Sequence, residues 1–214
     1  MKRLAIFDFD GTLFNSVDDV IICFNEALKI HDFPTMEREE FIGCLGGNID
    51  EIVSLVLKDK STPENIEMLK ETYLGIYYPS KKENTLPFPG AHDLLRQLQD
   101  MGVILAINSN RFSDSLEYFV EKFFYDIDFI EIEGHNFDNP SKPSPVGVNN
   151  IIREAGVTCD DALYIGDSIT YIRTAENAGI DCLIVRWGYG DENDWENDYI
   201  LECVDEFSQI LKYF

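Results

Sequence analysis

Leu4-Ala5-Ile6-Phe7-Asp8-Phe9-Asp10-Gly11-Thr12 is the stretch on which the fold turns. Four apolar residues in a row predict a strand buried on both faces, the kind found inside a parallel sheet. The strand ends in two carboxylates one residue apart, and Gly11 lets the backbone turn away. That arrangement suits magnesium-assisted attack on phosphorus. One carboxylate serves as nucleophile and metal ligand, and the other manages the proton on the leaving oxygen.

Outward from this strand, Ser16 and Asp19 read as a capping pair before Val17, Val20, Ile21, Phe24 and Leu28, which recur at helical spacing. Further helices are expected at about 36–43, at about 49–58 behind Asn48, and at about 63–78 behind Thr62-Pro63. Helices in succession with no strand between them predict a helical module. After the turn-rich Leu86-Pro87-Phe88-Pro89-Gly90 the pattern changes. Helices at about 91–101, 115–124, 145–155 and one ending at Gly179 alternate with strands at about 103–108, 127–132, 162–165 and 182–187. Such alternation predicts an α/β fold, a doubly wound parallel sheet with an inserted helical cap. The expected division is a core from residues 1–14 and 83–214 and a cap from 15–82.

Composition narrows the partners. With 17 Lys plus Arg against 40 Asp plus Glu, the formal net charge of -23 disfavours nucleic acid and anionic membranes. The five cysteines, Cys23, Cys44, Cys159, Cys182 and Cys203, are scattered without a Cys-x-x-Cys pair and read as reduced. With neither a signal-peptide pattern nor a membrane-length apolar run, a cytoplasmic monomer or homodimer is expected.

Ligands of open parallel sheets bind at the carboxyl ends of the strands. The residues expected there are Asp8 and Asp10, then Ser109-Asn110-Arg111, then Lys142 in a Ser-Lys-Pro-Ser-Pro loop, then Gly166-Asp167-Ser168. Together they make a nucleophile, hydroxyl and amide donors, a cation and a third carboxylate, a set able to hold a phosphoryl group and one Mg²⁺. At this point the chain resembles the haloacid dehalogenase superfamily phosphatases with a helical cap after the first motif. Phe88-Pro89-Gly90, Ala178-Gly179 and Trp187-Gly188-Tyr189-Gly190 further resemble the phosphoglycolate phosphatase-like branch. The resemblance implies that Asp8 attacks phosphorus and that Asp10 protonates the leaving alkoxide and then deprotonates water. It also implies that Asp8, Asp167 and the Asp10 backbone carbonyl hold Mg²⁺, that Ser109 and Asn110 hold phosphoryl oxygens, and that Lys142 neutralises charge. A hinged cap would exclude water, set specificity around Gly43-Cys44-Leu45-Gly46-Gly47-Asn48, and favour a small phosphorylated metabolite.

The chain departs from the family pattern at Tyr171, where relatives place a second aspartate supporting the metal's water shell or the lysine. Asn15 stands where relatives often carry an acidic residue. Arg111 replaces the more usual lysine and reads equally as a fork for a substrate carboxylate or second phosphate and as a surface arginine on the next helix. Tyr171 raises a catalytically weak phosphate-binding or regulatory protein as an alternative, and a sugar phosphomutase is a further one. His31, His92 and His135 lack metal-ligand spacing, Trp187 and Tyr189 read as packing aromatics, and the acidic run from Asp191 to Asp198 reads as a solvated face.

Overall fold

The computed structural model describes residues 1–136 and 140–214. In chain order its elements begin with β1 (Leu4–Phe7), β2 (Phe14–Asn15), α1 (Val17–Ile30), α2 (Arg38–Ile42), α3 (Ile49–Leu57), α4 (Pro63–Tyr77) and β3 (Leu86–Pro87). They continue with α5 (Ala91–Asp100), β4 (Ile104–Phe112), α6 (Ser113–Phe123), β5 (Phe129–His135), α7 (Val146–Ala155), β6 (Ala162–Gly166), α8 (Ile169–Ala178), β7 (Asp181–Val185) and β8 (Glu202–Val204). The chain divides into two compact units, residues 1–14 with 87–214, and residues 15–86. β2 and β3 pair as a short two-stranded sheet where the chain passes from one unit to the other. Among the described residues no helix is long and apolar enough to cross a membrane.

The first unit is built on a six-stranded sheet in the order β5-β4-β1-β6-β7-β8, every pair parallel. Side chains alternate across a strand, so each central strand feeds two cores. Ala5, Phe7, Leu105, Ile107, Leu163 and Ile165 join one buried cluster with Leu94 and Leu98 of α5 and Leu116 and Phe119 of α6. Leu4, Ile6, Ala106, Ala162 and Tyr164 join the other with Val148 and Ile151 of α7 and Ile172 and Ala175 of α8. Helices on both faces give the doubly wound architecture expected from the apolar runs. Among the elements not foreseen are the short strands β2 and β3, the edge strand β8 and a closing 3₁₀ helix, Phe207–Tyr213. β8 is only three residues long, too short for a period-2 signal.

The second unit, residues 15–86, is all helical apart from its ends. Its centre is an aromatic pile, with Phe24 stacked on Tyr73 at 4.0 Å and tilted against Phe41 at 5.2 Å. Asn48 caps α3 through a reciprocal capping box with Glu51, and Thr62 caps α4 ahead of Pro63. The expected Ser16–Asp19 capping pair does not form, since Ser16 makes no side-chain cap bond to α1. Asp19 instead turns inward, accepting from the Asn84 N–H at 3.0 Å, Asn84 Nδ2 at 2.9 Å and Thr85 Oγ1 at 2.7 Å. A buried carboxylate with three donors near the far end of the unit outbids a solvent-facing cap.

Candidate active site

The site starts where β1 ends. The Asp8 N–H donates to Ile165 O at 2.9 Å, so the ladder runs through the aspartate and fixes its backbone. Phe9 turns into the core and stacks on Phe14 at 4.2 Å, leaving Asp8 and Asp10 on the opposite side of the strand end. Gly11 adopts φ +81°, and a Cβ there would stand 2.2 Å from Asp167 Oδ2. Only glycine allows both the left-handed turn and the close approach of the third carboxylate.

β4 runs through Phe112, beyond the expected strand end at Asn108, so Ser109, Asn110 and Arg111 lie within it. Its register explains their prominence. Asn108 pairs with Glu133 and Phe112 with His135, so three residues of β4 face one of β5. The strand bulges there, aiming its side chains out of the ladder. Ser109 Oγ accepts the Arg111 N–H at 3.1 Å. Asn110 clamps the Lys142 backbone on both sides, accepting its N–H at 2.8 Å and donating to its carbonyl at 3.3 Å.

So held, Lys142 reaches the centre of the site. Its Nζ donates to Asp8 Oδ1 at 2.6 Å, to Asn108 O at 2.8 Å and to the Tyr164 hydroxyl at 3.3 Å. Both partners of the Lys142–Asp8 ion pair are almost wholly buried. Burial pushes the Asp8 carboxyl up and the Lys142 ammonium down, while their mutual attraction opposes both shifts. The Tyr171 ring lies over the same ammonium at 4.1 Å to the ring centre. In place of the carboxylate that the family resemblance implies there, this chain supplies an aromatic wall. Gly166 makes room for it, since a Cβ there would fall 2.5 Å from Tyr171.

Asp167 is enclosed by the segment after β7. The Tyr189 N–H donates to Asp167 Oδ2 at 2.6 Å. A Cβ on Gly188 would sit 2.3 Å from Asp167 Cβ, and one on Gly190 1.9 Å from Asp167 O. Burial, then the nearby Asp8 charge, push the Asp167 carboxyl up to about 8. Trp187 packs on Phe207 at 4.4 Å and donates to Thr12 O at 3.1 Å, as a packing aromatic should. The acidic run is more than a solvated face, because Asp194 Oδ2 accepts the first N–H of α8, Ile169, at 3.0 Å. It takes the capping place open to Ser168, which makes no side-chain cap bond.

Arg111 is neither on the next helix nor at the surface. Its Nε lies 3.1 and 3.2 Å from the two Asp10 oxygens, and its Nη2 lies 2.5 Å from Oδ1. Spacing alone gave no sign of this pairing, which joins residues 101 positions apart. The histidines are structural: His31 meets Thr72 at 2.7 Å, His92 meets Asp126 at 2.8 Å, and His135 meets Ser141 at 3.3 Å. All five cysteines are free thiols.

The model of the haloacid dehalogenase-like hydrolases matches residues 5–185, from β1 through β7. The chain belongs to that family. As a haloacid dehalogenase-like hydrolase it is similar to the phosphoglycolate phosphatase of Pseudomonas syringae pv. tomato, with 28% identity over 99% of this chain and 79% of that protein. It is also similar to the phosphoglycolate phosphatase of Aquifex aeolicus, with 27% identity over 98% of this hydrolase and 96% of that one. A solved structure from Lactobacillus delbrueckii subsp. bulgaricus, of a candidate phosphoglycolate phosphatase, superposes with a TM-score of 0.91. It is 26% identical and covers 100% of this hydrolase and 98% of that chain.

Proposed function

We propose that the protein is a Mg²⁺-dependent phosphatase of small phosphate monoesters, acting through an aspartyl-phosphate on Asp8, with 2-phosphoglycolate as the favoured class of substrate. The observation that carries this reading is the buried pair of Lys142 and Asp8 at 2.6 Å, with the second oxygen, Asp8 Oδ2, buried and lacking a hydrogen-bond partner. A buried carboxylate oxygen left so is costly unless a ligand satisfies it. The names of the relatives supply the substrate class.

The residues present fit a magnesium ion. Among the described residues no three His, Cys, Asp or Glu side chains form a metal cluster. Mg²⁺ needs none, since it keeps several waters and binds through one or two carboxylates plus substrate phosphate. Asp8, Asp167 and the Asp10 carbonyl would hold it. Bound there, it would offset the charge between carboxylates and phosphoryl oxygens.

Asp8 attacks phosphorus as the ester P–O bond breaks, and Asp10 gives its proton to the departing alkoxide. In the second half Asp10 takes a proton from water, which attacks phosphorus, and the bond to Asp8 breaks to release phosphate. Ser109 and the Asn110 amide hold phosphoryl oxygens, Lys142 balances charge on Asp8, and residues 15–86 act as the specificity cap. Arg111 binds a carboxylate on the substrate. Purified protein with Mg²⁺ is expected to release phosphate from 2-phosphoglycolate, and Asp8→Asn to abolish release while the thermal melt persists. No release from 2-phosphoglycolate or any other small phosphate monoester, or an active Asp8→Asn, would refute the reading.

A further inference from the structure

We propose that the Asp10–Arg111 ion pair is a latch, which holds Asp10 away from its proton work until a carboxylate on the substrate takes over the Arg111 fork. The proposal rests on the phosphatase reading above, in which Asp10 is acid and base. It adds a reason why the second anion of the substrate matters for rate as well as for binding.

The two partners differ in exposure. The Arg111 guanidinium is anchored, with a side chain only 9% exposed. Its Cζ lies 5.3 Å from the Phe9 ring centre and 5.7 Å from that of Phe119, and its Nη1 donates to Ser115 Oγ at 3.2 Å. A planar fork pinned on two rings and a hydroxyl keeps its orientation when its partner changes. The Asp10 side chain sits at the wetter edge and is 28% exposed. It is therefore the member of the pair that moves.

The contact engages both Asp10 oxygens with N–H donors. With both oxygens accepting from the fork, Asp10 is turned toward Arg111 instead of toward a leaving oxygen in the latched state. An ester whose leaving group carries a carboxylate brings a second anion to the side of the site where Asp10 must act. Arg111 then exchanges one carboxylate for another, a swap that conserves charge. Asp10 is released toward the ester oxygen at the moment the correct leaving group arrives. An ester without that carboxylate leaves the latch shut, so phosphorylated hydroxy acids are selected in catalysis.

Methyl phosphate and formate test this, because together they are the pieces of 2-phosphoglycolate. Formate, but not chloride at equal ionic strength, is expected to accelerate hydrolysis of methyl phosphate by the wild-type protein saturably, by roughly tenfold or more. In Arg111→Gln the acceleration should vanish. The variant's rate on methyl phosphate without formate should rise several-fold, and its kcat/KM on 2-phosphoglycolate should fall by roughly 100-fold. A purely structural role for Arg111 would depress both substrates together and would overturn the latch. A wild type that hydrolyses 2-phosphoglycolate while its methyl phosphate rate ignores formate would overturn the latch alone. A wild type inactive on 2-phosphoglycolate would overturn the latch and its parent reading together. The formate arm needs no variant, so it stands even if Arg111→Gln folds poorly.

Discussion

Asp167 shows most directly what enclosing a carboxylate does to the stability of the fold. Burial raises its carboxyl from 3.8 to about 8. Between those values the folded chain binds a proton that the unfolded chain has lost, so ∂ΔG/∂pH of unfolding is negative there. Stability should therefore fall as pH rises from about 4 to about 8 and level off above that, in the absence of metal. Asp167→Asn should flatten this slope and melt higher than wild type at pH 8, read by differential scanning calorimetry in a chelator. A variant with the wild-type slope would show that another group is responsible. Tyr171 gives a second expectation: its buried ring covers Lys142 and stacks on Tyr164 at 6.1 Å. Tyr171→Ala should cost roughly 3–5 kcal/mol in urea unfolding, as for other buried large-to-small changes. At this scale the sequence made Asp8, Lys142 and Asp167 visible, because each follows an apolar run or lies in the loop just before a helix. The Asp10–Arg111 pair and the Tyr171 wall escaped it, because both depend on which strand lies beside which.

Elements were legible where the pattern repeats and obscure where one residue decides. The central strands feed two cores, and that burial on both faces is written in the unbroken apolar runs Leu4 to Phe7 and Ala162 to Ile165. The β4 bulge leaves no such trace, although it turns Ser109, Asn110 and Arg111 out of the ladder. Asp19 was misread for a related reason. A cap requires only a local partner, whereas the Asn84 and Thr85 donors lie 65 and 66 residues away. Asp19→Ala would orphan the Thr85 hydroxyl, which is fully buried. We expect a loss of roughly 2–4 kcal/mol, seen as faster hydrogen exchange in α1 and at residues 84–85. Unchanged protection there would mean that the contact contributes nothing. Gly188 carries the opposite kind of information, that of a missing side chain. An alanine there would press its Cβ to 2.3 Å from Asp167 Cβ and 2.4 Å from Gly11 O. Gly188→Ala should therefore lower both the melting temperature and turnover by displacing Asp167, and retention of both would refute the steric account.

At the level of the whole molecule, the alternating pattern after residue 90 and the helical run before it already separated two kinds of structure. What periodicity does not reveal is whether one of them stands without the other. The two buried clusters of the sheet unit draw on β1, β4, β6 and β7 and on α5 to α8, and no residue from 15–86 belongs to either. The flanks of the inserted segment are held together within the sheet unit itself, since the Phe88 N–H donates to Leu13 O at 2.9 Å. Closing so short a gap costs little chain entropy, and a domain with its own core tolerates loss of an insertion. Excising residues 15–86 and joining Phe14 to Pro87 through a short Gly-Ser linker should thus leave a protein that melts cooperatively. Its amide spectrum should keep the dispersion of the six-stranded sheet. A gradual, non-cooperative melt would show that the sheet unit borrows stability from the helices, through interactions that its own clusters do not contain.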